Sequence, residues 1–367
     1  MTPAQIIVLA TPVFLALIVV ELAVGLRRGR NTYRLNDALN SIGLGIMSQL
    51  TGLFGAVFIV AVYSAAYNWA ALWQWPLDSA WTWLGALLLY DLCYYWRHRL
   101  GHTVALFWAA HVVHHQSEDY NLSTALRQTS SDWLVGWLPY LPMAVLGVPP
   151  LVFGVAGLVD LLYQYWVHTQ QIGKLGWFDR WFCAPSNHRV HHAVNQRYLD
   201  KNYGGILIVW DRLFGSYAEE ADSEPCVYGT RAPLRSWNPL WANLQVYRDL
   251  AVDAWRAQHF IDKFKVLFMH PGWRPADVAQ RWPRVAFEID QVQRFDPPLT
   301  RQRAVFAAVL FAALLGATAL FLWNAHRLSA AEQLLGGGAI VLGLWLVGRV
   351  CAPPVSTLVA PPAGQAR

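Results

Sequence analysis

Long apolar runs separated by short polar stretches dominate the sequence. A helix needs about 20 mainly apolar residues to cross the hydrocarbon core of a bilayer, and several runs approach or exceed that length. Few charges interrupt them, as expected for helices in lipid. We therefore predict five membrane-spanning helices, at residues 5–26, 42–64, 80–96, 303–323 and 334–350.

A further apolar segment, 133–167, is divided in its middle by Pro149 and Pro150. Neither half is long enough to cross about 30 Å of hydrocarbon comfortably. We expect a re-entrant helical hairpin over this segment, because a hairpin returns the chain to the side that it left. The alternative is one long kinked span, which would place His168 on the opposite face of the membrane.

The composition is typical of integral membrane proteins. Hydrophobic residues make up 55% and charged residues 14% of the sequence, whereas a soluble domain carries about 25% charged residues. Four arginines lie between residues 27 and 34, and the loop 68–79 contains no Lys or Arg. Because basic residues mark cytoplasmic loops, we expect the loop 27–34 on the cytoplasmic side. The other basic residues form no stripe, so we predict no nucleic-acid partner.

Histidines are concentrated in one part of the chain. Nine of the twelve lie between residues 98 and 192, and eight of these nine form three tight clusters, while His168 stands alone. Residues three or four apart share one face of a helix, so each cluster can direct two or three imidazoles to one point. We define the first box as His98 and His102, the second box as His111, His114 and His115, and the third box as His188, His191 and His192.

The number of clustered histidines indicates a pair of metal ions, because eight imidazoles are too many for one tetrahedral ion. Imidazole binds both iron and zinc. A zinc hydrolase needs only three ligands and a general base, and haem needs one or two axial ligands. A transporter would place its ligands near the bilayer midplane. The interpretation left is a histidine-rich, non-haem di-iron site that activates O₂ beside the membrane and oxidises an inert C–H bond.

Three carboxylates are candidates for hydrogen bonds to the metal-binding imidazoles. Asp91 lies seven residues before His98, on nearly the same helical face. Glu118 and Asp119 follow the second box and could orient its imidazoles or bind a reductant. Alternatively, Asp91 forms a hydrogen bond between helices, and the other two cap or solvate a helix end.

Four regions follow from these patterns, and the predicted fold class is an all-α integral membrane protein. Several transmembrane helices and the re-entrant hairpin support a cytoplasmic helical cap, which carries the histidine-rich metal site on the cytoplasmic face. The predicted regions are N-terminal transmembrane helices at 1–96, a histidine-box catalytic core with the hairpin and the cap at 97–300, a C-terminal helix pair at 301–351 and a disordered tail at 352–367.

The boxes and their flanks resemble a known family. The patterns HxxxH, HxxHH and HxxHH are those of the fatty acid hydroxylase/sterol desaturase superfamily, and the flanks are similar to its alkylglycerol monooxygenase-like branch over roughly residues 40–280. The similar segments are WAAHVVHHQSEDYNLSTALRQ (108–128), PSNHRVHH (185–192), DKNYGG (200–205), WDRLFG (210–215) and KVLFMHPGWRP (265–275).

The resemblance implies a membrane monooxygenase in which the eight boxed histidines bind two iron ions, with His168 as a ninth ligand. It implies O₂ and a lipid as substrates. Hydroxylation of the carbon next to an ether oxygen would split a glycerol ether into an aldehyde and a glycerol lipid. Tetrahydrobiopterin is the reductant in that branch, but Thr103 stands where the branch often has an acidic residue. The electron donor is therefore left open between a pterin and a redox protein.

Two alternatives to a lipid hydroxylase are open from the sequence. A lipid or sterol desaturase would use the same di-iron site and differ only in its product. A non-enzymatic metal-binding or transport protein would need polar residues along a continuous path through the spans, which contain few of them.

Overall fold

The computed structural model describes residues 2–352, and in this range the chain is helical and contains no β-strand. The predicted all-α class is therefore confirmed. The helices are α1 (Pro3–Arg27), α2 (Leu35–Ala70), α3 (Ala80–Thr103), α4 (Ala105–Ala109), α5 (Val112–His115), α6 (Leu122–Ala125), α7 (Leu141–Val145), α8 (Pro150–Tyr163), α9 (Phe178–Trp181), α10 (Pro185–His191), α11 (Val209–Leu213), α12 (Pro239–Arg256), α13 (Phe260–Phe268), α14 (Ala276–Arg281), α15 (Arg301–Asn324) and α16 (Ala330–Cys351). Short 3-10 helices occur at Asp132–Leu134, Leu138–Tyr140, Ile289–Gln291 and Ala325–Arg327.

Within residues 2–352, four helices are long and apolar enough to cross a membrane: α1, α2, α16, and α15 with the turn that continues it to Arg327. They contain four of the five predicted spans. The fifth, 80–96, lies within α3, which is not among these candidates. Asp91 and the amphipathic Tyr and Trp side chains lower the mean hydropathy of α3, and the span over 80–96 stays a prediction.

The candidate spans pack on one another and hold the cap in place. α15 and α16 form an antiparallel pair, and both contact α2. Leu39 of α2, Phe311 of α15 and Leu344 of α16 belong to one buried cluster, which also includes Trp237 of the cap. Close packing of this kind holds helices together in lipid, where no hydrophobic effect draws them to each other.

The predicted break in the apolar segment 133–167 is confirmed, because α8 begins at Pro150 with Pro149 as its N-cap. The tip before this break lies against the loop between α2 and α3. Gly147 has a φ of +87°, and an added Cβ would lie 1.9 Å from the carbonyl oxygen of Trp73. Only glycine fits such a position, so this contact fixes the tip.

Both ends of the segment 133–167 lie at the opposite end of α3. Arg97 pairs with Asp132 where the segment begins, and the Tyr94 hydroxyl donates to Gln164 Oε1 at 2.6 Å where it ends. The chain therefore leaves the region of the boxes, reaches the loop at residues 71–79 and returns. This path brings His168 back to the boxed histidines.

The arginine-rich loop 27–34 lies on the same side as the histidines. Arg28 Nη1 donates to the carbonyl oxygen of Gln171 at 2.7 Å, and Arg34 Nε donates to Asp119 Oδ2 at 2.8 Å. Gln171 follows His168 closely, and Asp119 follows the second box. These contacts agree with the prediction that the loop 27–34 and the boxes lie on the same side.

Residues 169–300, for which the cap was predicted, contain short helices, α12 and irregular segments. Arg189 of α10 joins two parts of this region. Its Nη1 donates to the carbonyl oxygens of Thr169 and Ile172, and the guanidinium pairs with Glu220 at 2.7 Å. The third box is thereby attached to the segment that follows His168. Except for Ala352, the predicted disordered tail lies outside the described residues.

Candidate metal centre

Nine histidines meet where α3 leaves the helical bundle. The first box occupies the last turns of α3. The second box forms α5, with His111 as the N-cap residue. The third box lies on α10, with His192 as the C-cap residue, and His168 follows the hairpin. Four separate segments of the chain therefore converge on one place.

The nine side chains fall into two groups, and in each group the ligand atoms lie within 4.8 Å of one another. Each group offers more nitrogen atoms than a zinc hydrolase site needs. We call them the five-histidine group, which consists of His98, His102, His111, His115 and His191, and the four-histidine group, which consists of His114, His168, His188 and His192.

The spacing within the boxes explains this division. Residues four apart stay together: His111 and His115 share the five-histidine group, and His188 and His192 share the four-histidine group. The residue three positions after the first histidine of a box, His114 or His191, joins the other group. Each box therefore directs two of its imidazoles to one group, within the predicted two or three, and the third imidazole of the second and third boxes joins the other group. Neighbouring helical residues diverge by about 100°, so each His-His pair faces two groups.

Main-chain carbonyl groups orient four of the imidazoles. In each case Nδ1–H donates to a carbonyl oxygen, which leaves the Nε2 lone pair free for a metal. The acceptors are Tyr203 O for His98 at 2.9 Å, Arg127 O for His114 at 2.9 Å, Gln164 O for His168 at 2.8 Å and Lys201 O for His191 at 3.0 Å.

The contact between His114 and His168 fits a cation. Their Nε2 atoms are 3.1 Å apart, but both rings use their Nδ1 proton for a carbonyl group, so neither neutral ring has a proton on Nε2. Two lone pairs therefore face each other at hydrogen-bond distance. Two nitrogens bound to one metal ion at about 2.1 Å would be about 3.0–3.4 Å apart, which matches this contact.

The five-histidine group gives a similar result. His98 Nε2 and His102 Nε2 are buried and have no hydrogen-bond partner among residues 2–352, which is costly for polar atoms unless a ligand satisfies them. His191 Nε2 and His115 Nε2 are 3.2 Å apart. The donor atoms of both groups therefore fit metal ions.

Burial keeps the imidazoles in the neutral form that metal binding requires. Desolvation lowers the pKa of His114 to about 4 and that of His191 to about 3. The pKa of His188 is also well below its ordinary value, because burial and then the neighbouring His168 disfavour a positive charge. At neutral pH these rings are therefore uncharged and have a lone pair that could bind a metal ion.

The predicted supporting carboxylates lie close to the boxes but bind other groups. Asp91 accepts hydrogen bonds from the backbone N–H groups of Ile206 and Leu207 and from Trp210 Nε1, at 2.7–3.1 Å. It therefore holds the loop before α11, and the expected hydrogen bond to an imidazole is not formed among the described residues. The side of α3 that carries Asp91 therefore meets the loop before α11.

Glu118 and Asp119 connect the second box to distant segments. Asp119 pairs with Arg34 at 2.8 Å and with Arg294 at 3.4 Å. Glu118 accepts a hydrogen bond from the backbone N–H of Phe295. Both carboxylates thus fix the second box against the start of α2 and the segment before α15, and their hydrogen bonds go to these groups rather than to imidazoles.

Asp211 supports the site but was not identified from the sequence. Its carboxylate accepts from the backbone N–H groups of Tyr203 and Gly204, both at 2.7 Å, and the carbonyl group of Tyr203 orients His98. Burial raises the pKa of Asp211 to about 6. Its position in the WDRLFG segment was the available signal, but no spacing rule connects it to His98.

Arg127 also holds the second box in place, through its side chain and its carbonyl group. Its side chain is fully buried and donates to the carbonyl oxygen of Val113 at 2.7 Å and to Asn40 Oδ1 at 2.9 Å. Its own carbonyl oxygen accepts from His114. Arg127 therefore ties α2, the second box and the start of the hairpin together.

A cavity of about 510 Å³ ends at His111, His114 and His168. These residues come from both groups, so the cavity reaches the junction between them. Apolar side chains of α1, α2, α8 and α15 line most of it, together with Trp133 and Trp137. An apolar pocket between α3 and the hairpin was predicted from the sequence. Its end at the histidines is confirmed, but α1, α2 and α15 also form its wall.

Known proteins with similar sequences include monooxygenases and lipid hydroxylases. A family model described as fatty acid hydroxylase matches residues 83–216, which contain all three boxes. Alkylglycerol monooxygenase of Homo sapiens is 37% identical over 346 residues, covering 92% of this chain and 76% of that protein. The Danio rerio alkylglycerol monooxygenase is 40% identical over 267 residues, covering 72% and 59%. Ornithine lipid hydroxylase OlsE of Rhizobium tropici is 29% identical over 177 residues, covering 46% and 53%. No solved structure matches the chain.

Fold, site and similarity together define an integral membrane oxidoreductase with a histidine-rich metal site, an enzyme that uses O₂. More narrowly, the chain belongs to the fatty acid hydroxylase superfamily and, within it, to the alkylglycerol monooxygenase branch. The non-enzymatic alternative is thereby set aside.

Proposed function

We propose that this chain is a di-iron monooxygenase that hydroxylates a C–H bond of a membrane lipid. The cavity that ends at His111, His114 and His168 carries this proposal. Helices that are long and apolar enough to lie in lipid form its wall, so an alkyl chain can enter without passing through water. A chain held in this cavity would present one carbon to the junction of the two histidine groups.

The five-histidine group and the four-histidine group would each hold one iron ion. When bound, iron would supply the activation of O₂, which protein side chains alone cannot perform. The residues of the chain hold the imidazoles in place through main-chain hydrogen bonds, keep them neutral by burial and exclude bulk water. Exclusion of water protects reactive oxidising species from side reactions.

The proposed substrate is a glycerol ether or a related amphiphile. Hydroxylation consumes the substrate C–H bond, O₂, two electrons and two protons, and it yields a C–OH group and water. At the carbon next to an ether oxygen, the product is a hemiacetal, which breaks its C–O bond to release an aldehyde and a free glycerol hydroxyl. The relatives named alkylglycerol monooxygenase support this substrate class. The electron donor would be a pterin or a redox protein.

We also propose that the metal centre faces the cytoplasm and that the segment 133–167 is re-entrant. The contacts of Arg28 and Arg34 support the first point, because they join the basic loop 27–34 to the side of the histidines, and basic loops face the cytoplasm. Both ends of the hairpin meet that same side, which supports the second point.

Isotope labelling of purified, iron-loaded protein tests the proposed reaction. The protein would receive a reductant, labelled O₂ and a panel of ether lipids, acyl lipids and sterols. We expect one labelled oxygen atom in the product of an ether lipid and an aldehyde as the second product. The variant His259→Ala, outside both groups, serves as the control and should retain activity. Oxidation of acyl chains or sterols with all ethers intact would discard the ether substrate, and an unlabelled alkene would identify a desaturase.

A further inference from the structure

Two opposite charges lie inside the apolar cavity. Arg97 Nη2 donates to Asp132 Oδ1, and both residues line the cavity. Their side chains keep 21% and 36% of their accessible surface, so a ligand can still reach them. Charged groups in an apolar environment are costly and are functional candidates for that reason. Binding of an alkyl chain, as proposed above, does not use this pair.

The pair has unused hydrogen-bonding capacity. A guanidinium group has five N–H donors. Among the described residues, the Arg97 guanidinium donates one hydrogen bond, to Asp132. Oδ2 of Asp132 accepts no hydrogen bond from those residues either. The cavity therefore offers free N–H donors directly beside a free carboxylate oxygen.

A further polar atom supports a ligand in this cavity. Ser130 Oγ is buried and has no hydrogen-bond partner among residues 2–352. Ser130 lines the same cavity, with only 9% of its surface exposed. Buried polar atoms are nearly always paired, so a polar ligand in the cavity would remove a cost that the protein alone carries.

The charge of the pair selects among ligands. Asp132 already balances the charge of Arg97, so an anionic headgroup would compete with a carboxylate, and a cationic headgroup would compete with a guanidinium. A neutral 1,2-diol has neither conflict. Its hydroxyl groups can donate to the carboxylate oxygen, and its oxygen atoms can accept from the guanidinium.

We infer that Arg97 and Asp132 form a headgroup subsite that binds the neutral vicinal diol of an amphiphile. This inference rests on the proposed lipid substrate and adds the group that recognises its polar end. Arg97 precedes His98 directly in α3, so the headgroup would lie beside the metal centre. The alkyl chain would then extend between α1, α2 and α15, and the carbon nearest the headgroup would face the histidines.

Gly136 provides a way to disturb the subsite without removing a charge. A Cβ added at this position would lie 2.5 Å from both carboxylate oxygens of Asp132. The substitution Gly136→Ala must therefore displace the Asp132 carboxylate, although neither Arg97 nor Asp132 is itself mutated. Arg248 and Asp249 offer a matched control, because they form an exposed ion pair at 3.1 Å outside the cavity.

Equilibrium binding to the full-length, iron-loaded protein under anaerobic conditions tests the inference without turnover. Tritiated 1-O-hexadecylglycerol would be displaced by unlabelled 1-O-hexadecylglycerol or by hexadecyl phosphate. We expect the wild-type protein to bind the diol at least about tenfold more tightly than the phosphate. Asp132→Asn should weaken diol binding about tenfold to a hundredfold, the range of one hydrogen bond to a charged group, and should strengthen phosphate binding. Arg97→Met should weaken both.

Several outcomes would overturn the subsite. The first is that the wild-type protein binds 1-O-hexadecylglycerol and hexadecyl phosphate with equal affinity. The second is that neither Asp132→Asn nor Gly136→Ala changes the ratio of these two affinities. Asp249→Asn should leave the ratio unchanged, and the same loss in this control would point to a general effect of charge. The proposed reaction is tested separately in air. Selective binding without oxidation would refute the monooxygenase while the subsite stands, and oxidation without headgroup selectivity would refute the subsite alone.

Discussion

His114 and His115 are consecutive residues, but their imidazoles belong to different groups, with ring planes at 89° and ring centroids 5.4 Å apart. His191 and His192 repeat this arrangement at 88° and 5.3 Å. Each His-His pair therefore connects the two groups through a single peptide unit. Because peptide units are rigid, two such connections limit how far the groups can move apart.

This division predicts that the two iron ions of the proposed di-iron site can be lost separately. His168→Ala should remove one ligand from the four-histidine group and lower bound iron from about two ions to about one per chain, because three ligands hold iron less tightly than four. His102→Ala should have the same effect through the five-histidine group. Metal analysis after dialysis against a chelator measures this. His259→Ala should keep both ions, and complete loss of iron from either ligand variant would contradict independent groups.

The metal-free protein should lose stability on acidification. The pKa of His114 is about 4 and that of His191 about 3 in the folded protein because both are buried, against an ordinary value of 6.5. At a pH between the folded and the ordinary pKa values, these histidines are protonated in the unfolded chain but neutral in the folded protein. The free energy of unfolding therefore falls as the pH drops below about 6.5. Each such histidine contributes a slope of at most about 1.4 kcal/mol per pH unit.

Thermal unfolding of the metal-free protein in detergent between pH 7 and pH 5 would measure this loss. The variant His114→Asn removes one of the titrating groups, so its unfolding temperature should depend less steeply on pH than that of the wild-type protein. A stability that is flat over this range would show that the buried rings are not neutral in the folded state.

The tip of the hairpin should not tolerate a side chain. Gly147→Ala would force a Cβ to within 1.9 Å of a backbone oxygen at a positive φ, and we expect it to cost about 2 kcal/mol or more of unfolding free energy. Gly154→Ala is the matched control, because Gly154 lies within α8 and its added Cβ has no neighbouring atom of the described chain within 4 Å. Thermal unfolding should show a lower midpoint for Gly147→Ala only. Equal midpoints would mean that the tip is not held by the loop at residues 71–79.

Labelling of single cysteines would test the orientation in the membrane. Asp78→Cys and Arg30→Cys place a thiol in exposed positions of the two loops, at opposite ends of α2. A membrane-impermeant maleimide should label Asp78→Cys in intact cells, and it should label Arg30→Cys only after permeabilisation, because basic loops face the cytoplasm. The reverse pattern would place the metal centre outside the cytoplasm.

The site was predictable from the sequence where spacing carries the signal. The boxes, the isolated His168 and the break at Pro149 and Pro150 all reflect local geometry, so they could be identified without a structure. The division into two groups depends on how four segments meet, which spacing does not determine. Support by the carbonyl group of Tyr203 was unpredictable for another reason: every residue has a carbonyl group, so no residue type marks it.

The surroundings of α3 could not be inferred from the sequence, so the groups that bind the Asp91 carboxylate were not predicted. In the folded protein α3 packs against the hairpin, and the loop before α11 takes the hydrogen bonds of Asp91. A polar residue in an apolar helix thus indicates that a partner exists, but its identity comes from tertiary structure.

The carbonyl acceptors of the four oriented imidazoles have an evolutionary consequence. They belong to Tyr203, Arg127, Gln164 and Lys201, and every amino acid that could replace these residues would keep the same oxygen atom. Mutation can therefore change the side chains around the centre, and with them the accepted substrate, without removing the groups that aim the metal ligands. A descendant enzyme could acquire a new substrate range while it inherits an unchanged oxidation centre.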